Sequence, residues 1–540
     1  MLLIVTLQIV TYLAIGVKPP VCYLLLMLNR RVFTRMVGLG GGLPWRCLPS
    51  SSPVEVGSTA QLFVDRLLVR ETRDVAFTLH PAEKHPANPL IRADRPWEGW
   101  RLELFGSTIY DPDEKLFKMW YVAEPVGYFG PPPSGASSDN STCYAVSRDG
   151  VHWEKPLVGT LAAADGSRHN AILFATHLPS VIKDAADPNP ARRYKMICYI
   201  HFPRDARGYQ TMVSPDGIHW TRTSAAPFCP GADVINGYYD ERRKMYVALA
   251  KIGTFLRGHN RRVFYVTTST DFATWTKPEL AIYPDLEDDA GSLARIEQVR
   301  PILDVADDPA EMRTEFYGVG FYPAESCTLA FPWVFTINAK ARYGNQEGPF
   351  EIQLAVSRDL KNWQRPFRVP VIPRGKVGDW ECGIQITASR ALRVGDEIWL
   401  YYCGANYTHG TPVLYRKDSP DRKGKFTSSI GLAKWKLDRF VSVDGLAKGS
   451  TLTTVPVVYF GDRLELNAAA GKGGAVRVEL LDPAGRPLAA SRTIHGDDLR
   501  HTVRWPSENT VPALRGKPVA LRFHLRDAAL FSFAFRDRYH

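Results

Sequence analysis

Between about residues 100 and 440 the chain is punctuated by short runs dense in aromatic, β-branched and long apolar residues. Phe117 to Tyr121, Tyr194 to Tyr199, Met245 to Val247, Phe316 with Leu329 to Phe331, and Ile398 to Tyr402 are five of them. Each follows a polar hairpin signal, at Asp111, Asp187, Asp240, Asp307 and Gly395-Asp396. Runs this short, bounded by Asp, Pro and Gly, read as strands, and no sustained amphipathic helix pattern competes with them. Beyond residue 451 the alternation becomes regular at period two, in Leu464 and Leu466, Val476 to Leu480, Val503 and Trp505, and Val519 to Leu525.

A repeat runs through the middle. Ser147, Asp149, Gly150, His152 and Trp153 recur as Ser214, Asp216, Gly217, His219 and Trp220. The same Ser-x-Asp-x-x-x-Trp spacing returns at Ser269, Asp271 and Trp275, and at Ser357, Asp359 and Trp363. Repetition of this kind marks one supersecondary unit used several times. The Asp of each copy is placed to cap a turn and the Trp to fill the gap between neighbouring sheets, so these Asp residues are read as structural. Five strand groups arranged radially also remove the exposed edges that so many strands would otherwise present. The expectation is an all-β chain: a five-bladed β-propeller over 58–445 followed by a β-sandwich over 451–540.

Residues 1–53 read as a targeting segment and linker. Two apolar runs flank Lys18, Pro19 and Pro20, neither long enough for a comfortable membrane span. From Met27 the stretch Asn29-Arg30-Arg31-Val32-Phe33 resembles a twin-arginine export signal, which implies a periplasmic or extracellular protein.

With 67 Lys and Arg against 56 Asp and Glu the formal net charge is +11, but the basic residues are dispersed, so no nucleic-acid partner is expected. Hydrophobic content of 45% excludes a disordered chain. None of the eight cysteines forms a CxxC pair, which argues against a zinc ribbon or a redox pair, and buried free thiols are expected. Aromatic content of 11% suits all-β packing and equally suits stacking on sugar rings.

Lys84 to Leu90, Phe117 to Tyr121 and Ser147 to Trp153, taken with the repeats, resemble glycoside hydrolases of the levanase/invertase and arabinanase type, families 32 and 43. The resemblance spans roughly residues 58–442. It implies a five-bladed propeller whose central funnel holds three carboxylates, one to protonate the leaving oxygen and one to act as nucleophile or base. The Asn-Asp-Pro and Arg-Asp-Pro signatures of the invertase group are absent, which speaks against β-fructosidase activity.

Candidate acids are those standing ahead of central strands: Glu103 in blade one, Asp233 in blade three and Glu381 in blade five. Glu381 heads the set because the Glu381-Cys382 pair echoes the acid/base element of the invertase group. Asp184, Glu297, Glu315 and Asp65 are further candidates, and for every acid other than Glu381 a solvated surface carboxylate is the simpler description. His409, Trp97, Trp100, Trp380 and Arg101 are candidates for substrate binding. The expected activity is cleavage of a glycosidic bond in an oligo- or polysaccharide, without an organic cofactor. A divalent ion in the funnel is left open, and no protein metal ligands are named. The alternatives are a glycoside phosphorylase and a non-catalytic glycan-binding protein.

Overall fold

The computed structural model describes residues 52–537, apart from 126, 131–139, 164, 175, 202–206, 232, 343 and 412–424. The expected export signal, Cys22 and Cys47 lie outside the described residues. No helix among the described residues is long and apolar enough to cross a membrane.

Five antiparallel sheets form the blades. Blade I comprises Leu102–Asp111, Leu116–Ala123, Ser141–Ser147 and Ala171–Phe174. Blade II comprises Thr176–Lys183, Tyr194–Ile200, Gly208–Ser214 and Thr221–Arg222. Blade III comprises Ile235–Asp240, Met245–Leu256, His259–Ser269 and Glu279–Ile282. In blade IV, Arg313–Pro323 and Thr328–Ile337 are followed by a broken third strand, Phe350–Ile352 and Ala355–Ser357, and by Trp363–Gln364. Blade V comprises Ile384–Thr387, Glu397–Ala405 and Ser428–Lys436, and its outermost strand is Glu83–Lys84 from the other end of the chain, with Lys84 opposite Ala433. The first strands touch their neighbours around the whole ring, so the five sheets close into the expected propeller.

Small polar residues plug the axis. Ser107 Oγ donates to Pro179 O at 2.9 Å and accepts from Val181 N at 2.8 Å. Ser180 and Ser389 share a 2.7 Å hydroxyl contact, and Ser389 Oγ also donates to Gly106 O. Only small side chains let five strands converge this closely. A Cβ on Gly106 would lie 1.8 Å from Trp120 O. These axial hydroxyls are hydrogen-bonded, as buried polar groups must be.

The four Ser-Asp-Trp turns share one geometry. Asp149 Oδ1 accepts from Val151 N and His152 N, both at 2.8 Å, and Asp216, Asp271 and Asp359 do the same for the amides that follow them. These bonds, with the hydroxyls of Ser214, Ser269 and Ser357, hold Asp216, Asp271 and Asp359 at about 2. The residue after the Asp has a positive φ in every copy, Gly150 and Gly217 in two, Phe272 and Leu360 in the others.

The C-terminal part departs from the expected boundaries. Gln61–Leu62, Val69–Arg73 and Val75–Leu79, placed by sequence in or before the propeller, pair instead with strands of the C-terminal sheet. Two long strands, Arg463–Leu481 and Ala520–Arg536, run through a nine-stranded network that wraps one apolar core, including Phe63, Leu466, Val478, Phe523 and Phe533. Register breaks such as Ala470/Ala475 let the long strands bend around the core, and the separate pair Val54–Gly57 and Val457–Tyr459 packs on the same core. All six described cysteines are buried free thiols.

Candidate functional site

The first strands of blades I, II and IV each slip register near the start, between Glu103 and Ser107, His177 and Ser180, and Phe316 and Val319. Bulges re-aim side chains. Here they fall at Glu103, His177 and Tyr317, all at one end of the ring. In blade III the matching place is Asp233, just ahead of Ile235–Asp240, with φ +56°.

These positions meet. Lys251, from the second strand of blade III, is ion-paired with Asp233, and its Nζ stands 3.9 Å over the Tyr317 ring. His177 Nδ1 lies 3.3 Å from Asp233 O, and its ring lies 4.6 Å from Phe105 and 5.6 Å from His201. Arg262 sits over the same Tyr317 at 5.3 Å and is paired with fully buried Glu315, which Arg313 also holds. Arg101 bridges Glu103 at 3.3 Å and buried Glu124 at 2.8 Å. Both Asp233 and Glu103 press electrostatically on the Tyr317 hydroxyl, which burial first of all raises far above its usual range.

Burial dominates the electrostatics. It drives His177 down to about 3, with His201 adding to the effect, and drives His201 down to about 4, so both rings are neutral at neutral pH. It lowers Lys251 to about 8 against the opposing pull of Asp233. Burial works to raise Asp233, but the charge of Lys251 outweighs it and keeps the carboxylate below its ordinary value. With its side chain 35% exposed, Asp233 is the open acid of the group; Glu103 is 14% exposed.

The structure brings Glu103, Asp233 and Arg101 into this cluster and stacks His409 on its wall. The His409 ring lies 5.0 Å from Tyr317 and 4.8 Å from Phe335, its Nδ1 meets Gln346 O at 2.7 Å, and burial lowers it to about 3. Trp100 borders the site through Arg101, 5.5 Å from its ring, and Tyr407.

Glu381 has another setting. It is ion-paired with Lys84 of the closing strand, accepts from Gln385 Nε2 at 3.2 Å and packs on Gly404; among the described residues no contact joins it to Asp233 or Glu103. Trp380 leans on Tyr402 beside it. Trp97 is buried in blade I, donating to Asn170 Oδ1 at 2.6 Å. Asp184 binds Lys195 between blades II and III, Asp65 pairs with Arg358, and Glu297 with Arg300 on the surface.

Lys251, His177, Tyr317 and Arg262 escape the sequence reading. The available signal was a single lysine, Lys251, interrupting the apolar run from Val247 to Ile252. Among the described residues no group of three or more His, Cys, Asp and Glu side chains is placed to hold a metal ion.

Fold and site together define a five-bladed propeller with an acid- and cation-lined axial cluster. No protein-family model and no curated protein sequence matches the chain. Among solved structures it is similar to a β-1,2-mannobiose phosphorylase from Listeria innocua, at 11% identity and TM-score 0.40 over 66% of this chain and 97% of that one. A family 43 arabinoxylan arabinofuranohydrolase from Bacillus subtilis is similar at 12% and 0.36, over 85% and 99%. An N-acetylgalactosamine deacetylase from F. plautii is similar at 12% and 0.36, over 73% and 96%. No side-chain correspondence follows from likeness at this level.

Proposed function

We propose that the axial cluster is a carbohydrate site and that the chain cleaves a glycosidic bond there, with Asp233 and Glu103 as the working carboxylates. One observation carries this reading: Asp233 of blade III, paired with Lys251, and Glu103 of blade I, paired with Arg101, both act on the buried Tyr317 of blade IV. Glycoside cleavage needs one carboxylate kept ionised and another able to carry a proton. Lys251 suits Asp233 to the first role, as nucleophile or base. Glu103, from the facing blade and ion-paired with Arg101 at 3.3 Å, is assigned the second role.

A phosphorylase is the second reading, favoured by the three cations Arg101, Lys251 and Arg262 around the same acids. Turnover on a panel of oligosaccharides, with and without inorganic phosphate, separates the two. Asp233→Asn and Glu103→Gln should each lower turnover by roughly 100-fold or more. Glu381→Gln should act on stability instead. Unchanged turnover in Asp233→Asn would remove the proposed chemistry.

A further inference from the structure

The second and third strands of blade III run on past the rest of their sheet. The first strand ends its pairing at Ile235 opposite Ala250, and the fourth at Ile282 opposite Phe264. The second and third stay paired without a register break as far as Leu256 and His259. Arg257 and Gly258 close this hairpin, both with positive φ, as a tight turn between twisted strands requires. Opposite residues, and residues two apart, share a face of such a ribbon. Lys251, Gly253 and Phe255 therefore stand on one face with Arg262 and Asn260. That face looks onto the axial cluster, since Lys251 and Arg262 both lie over the Tyr317 ring.

The projecting end is braced. Arg257 donates to Pro284 O at 2.8 Å and to Asp289 Oδ2 at 3.1 Å, and Arg261, on the opposite face, donates to Asp289 Oδ1 at 2.6 Å. Phe255 is nevertheless 76% exposed, and among the described residues no other ring packs on it. The Asn260 amide lies 3.1 Å from where a Cβ on Gly253 would stand, so the glycine leaves the room that the amide fills. A single exposed apolar side chain is ordinary. A bare ring on a braced hairpin, beside an amide and on the face leading to acids and cations, is a built surface. We propose that Phe255 and Asn260 form an outer subsite for a sugar unit remote from the cleaved bond. The ring stacks on the apolar C–H face of the sugar and the amide bonds its hydroxyls. The inference rests on the axial cluster being the carbohydrate site. Four residues of strand set Phe255 about 13 Å from Lys251, further than one sugar ring reaches, so the substrate is a chain longer than a disaccharide.

The test uses the full chain, with oligosaccharides of arabinoxylan, arabinan, mannan and levan, each as a disaccharide and as a pentasaccharide. Values of kcat and KM are read for wild type, Phe255→Ala, Phe255→Tyr and Asn260→Ala. On the glycan that is turned over, wild type should favour the pentasaccharide. Phe255→Ala should lose about tenfold in kcat/KM on the pentasaccharide, through KM, and nothing on the disaccharide. Asn260→Ala should show a smaller loss with the same length dependence, and Phe255→Tyr should keep the wild-type values. Equal wild-type values for the two lengths, or a Phe255→Ala loss that is absent or the same on both, overturns the subsite and leaves the cleavage reading standing. So does a Phe255→Ala variant changed only in its gel-filtration volume, which would mark the ring as a protein contact. Where no glycan is turned over, calorimetric binding of the pentasaccharides decides. A Kd raised about tenfold in Phe255→Ala then upholds the subsite while the cleavage reading falls, and an absence of binding overturns both.

Discussion

Neutral histidines in a charged cluster tie the stability of the protein to pH. His177, His201 and His409 all have folded-state values well below the ordinary 6.5. Between those values and 6.5 the unfolded chain binds more protons than the folded one, so acidification favours unfolding. Each histidine should contribute a slope of about 1.4 kcal/mol per pH unit in that window. Glu347, raised to about 7 chiefly by burial, and Asp438, raised to about 6 by the same cause, act in the opposite sense. The comparison must therefore be with a variant. Between pH 6.5 and 5, wild type should lose more stability than His177→Gln/His201→Gln; parallel curves would mean that the two rings are not buried neutral. At this scale the sequence was half legible. Glu103 and Asp233 could be found because they stand ahead of central strands. Lys251 could not, since a lone lysine in a strand usually lies on a solvated face. The position of Glu381 depends on Lys84, 297 residues away, and nothing local announces that pairing.

Between blades the same contact recurs. Asp111, at the end of the first strand of blade I, holds Lys118 at 3.1 Å and accepts from the Tyr194 hydroxyl of blade II, while Lys183 of blade II reaches back to it. One interface on, Asp184 holds Lys195 at 2.7 Å and accepts from the Tyr246 hydroxyl of blade III. Phe117 is in the same register place as Tyr194 and Tyr246, and there the contact is a ring stacked on Trp399 of blade V instead. Breaking a buried pair leaves an uncompensated charge, so Asp111→Asn should cost about 3–5 kcal/mol in urea unfolding, with Lys118 and Lys183 left behind. A cost below about 1 kcal/mol would show the network to be dispensable. The strands, hairpins and Asp caps were readable because they depend on neighbours in sequence. The lysines were not: Lys118 and Lys195 alternate like surface residues, and only the next blade buries them.

Across the whole molecule the two ends of the chain cooperate. Glu83–Lys84 completes blade V, and Val69–Arg73 and Val75–Leu79 complete the C-terminal sheet. A fragment of residues 451–540 alone should therefore be unfolded or aggregated by circular dichroism and gel filtration. A fragment that folds cooperatively by itself would show the N-terminal strands to be ornament. The boundary read from sequence missed this, because the turn at 445–451 is a sound local signal whereas strand pairing across more than 360 residues leaves none. The C-terminal alternation and the radial repeat were legible for the opposite reason, each being periodic.

One pairing reaches further. Leu79 and Val441 are opposite residues on adjacent antiparallel strands, and the whole ring of blades is spliced between them. The C-terminal module is thus a host into which the propeller is inserted at a single hairpin. Two neighbouring strands serve as both the entrance and the exit of some 360 residues, so excising 80–440 and bridging the gap with a tight turn would keep the host's strand pairing while removing partners such as Arg358 of Asp65 and Glu325 of Arg536.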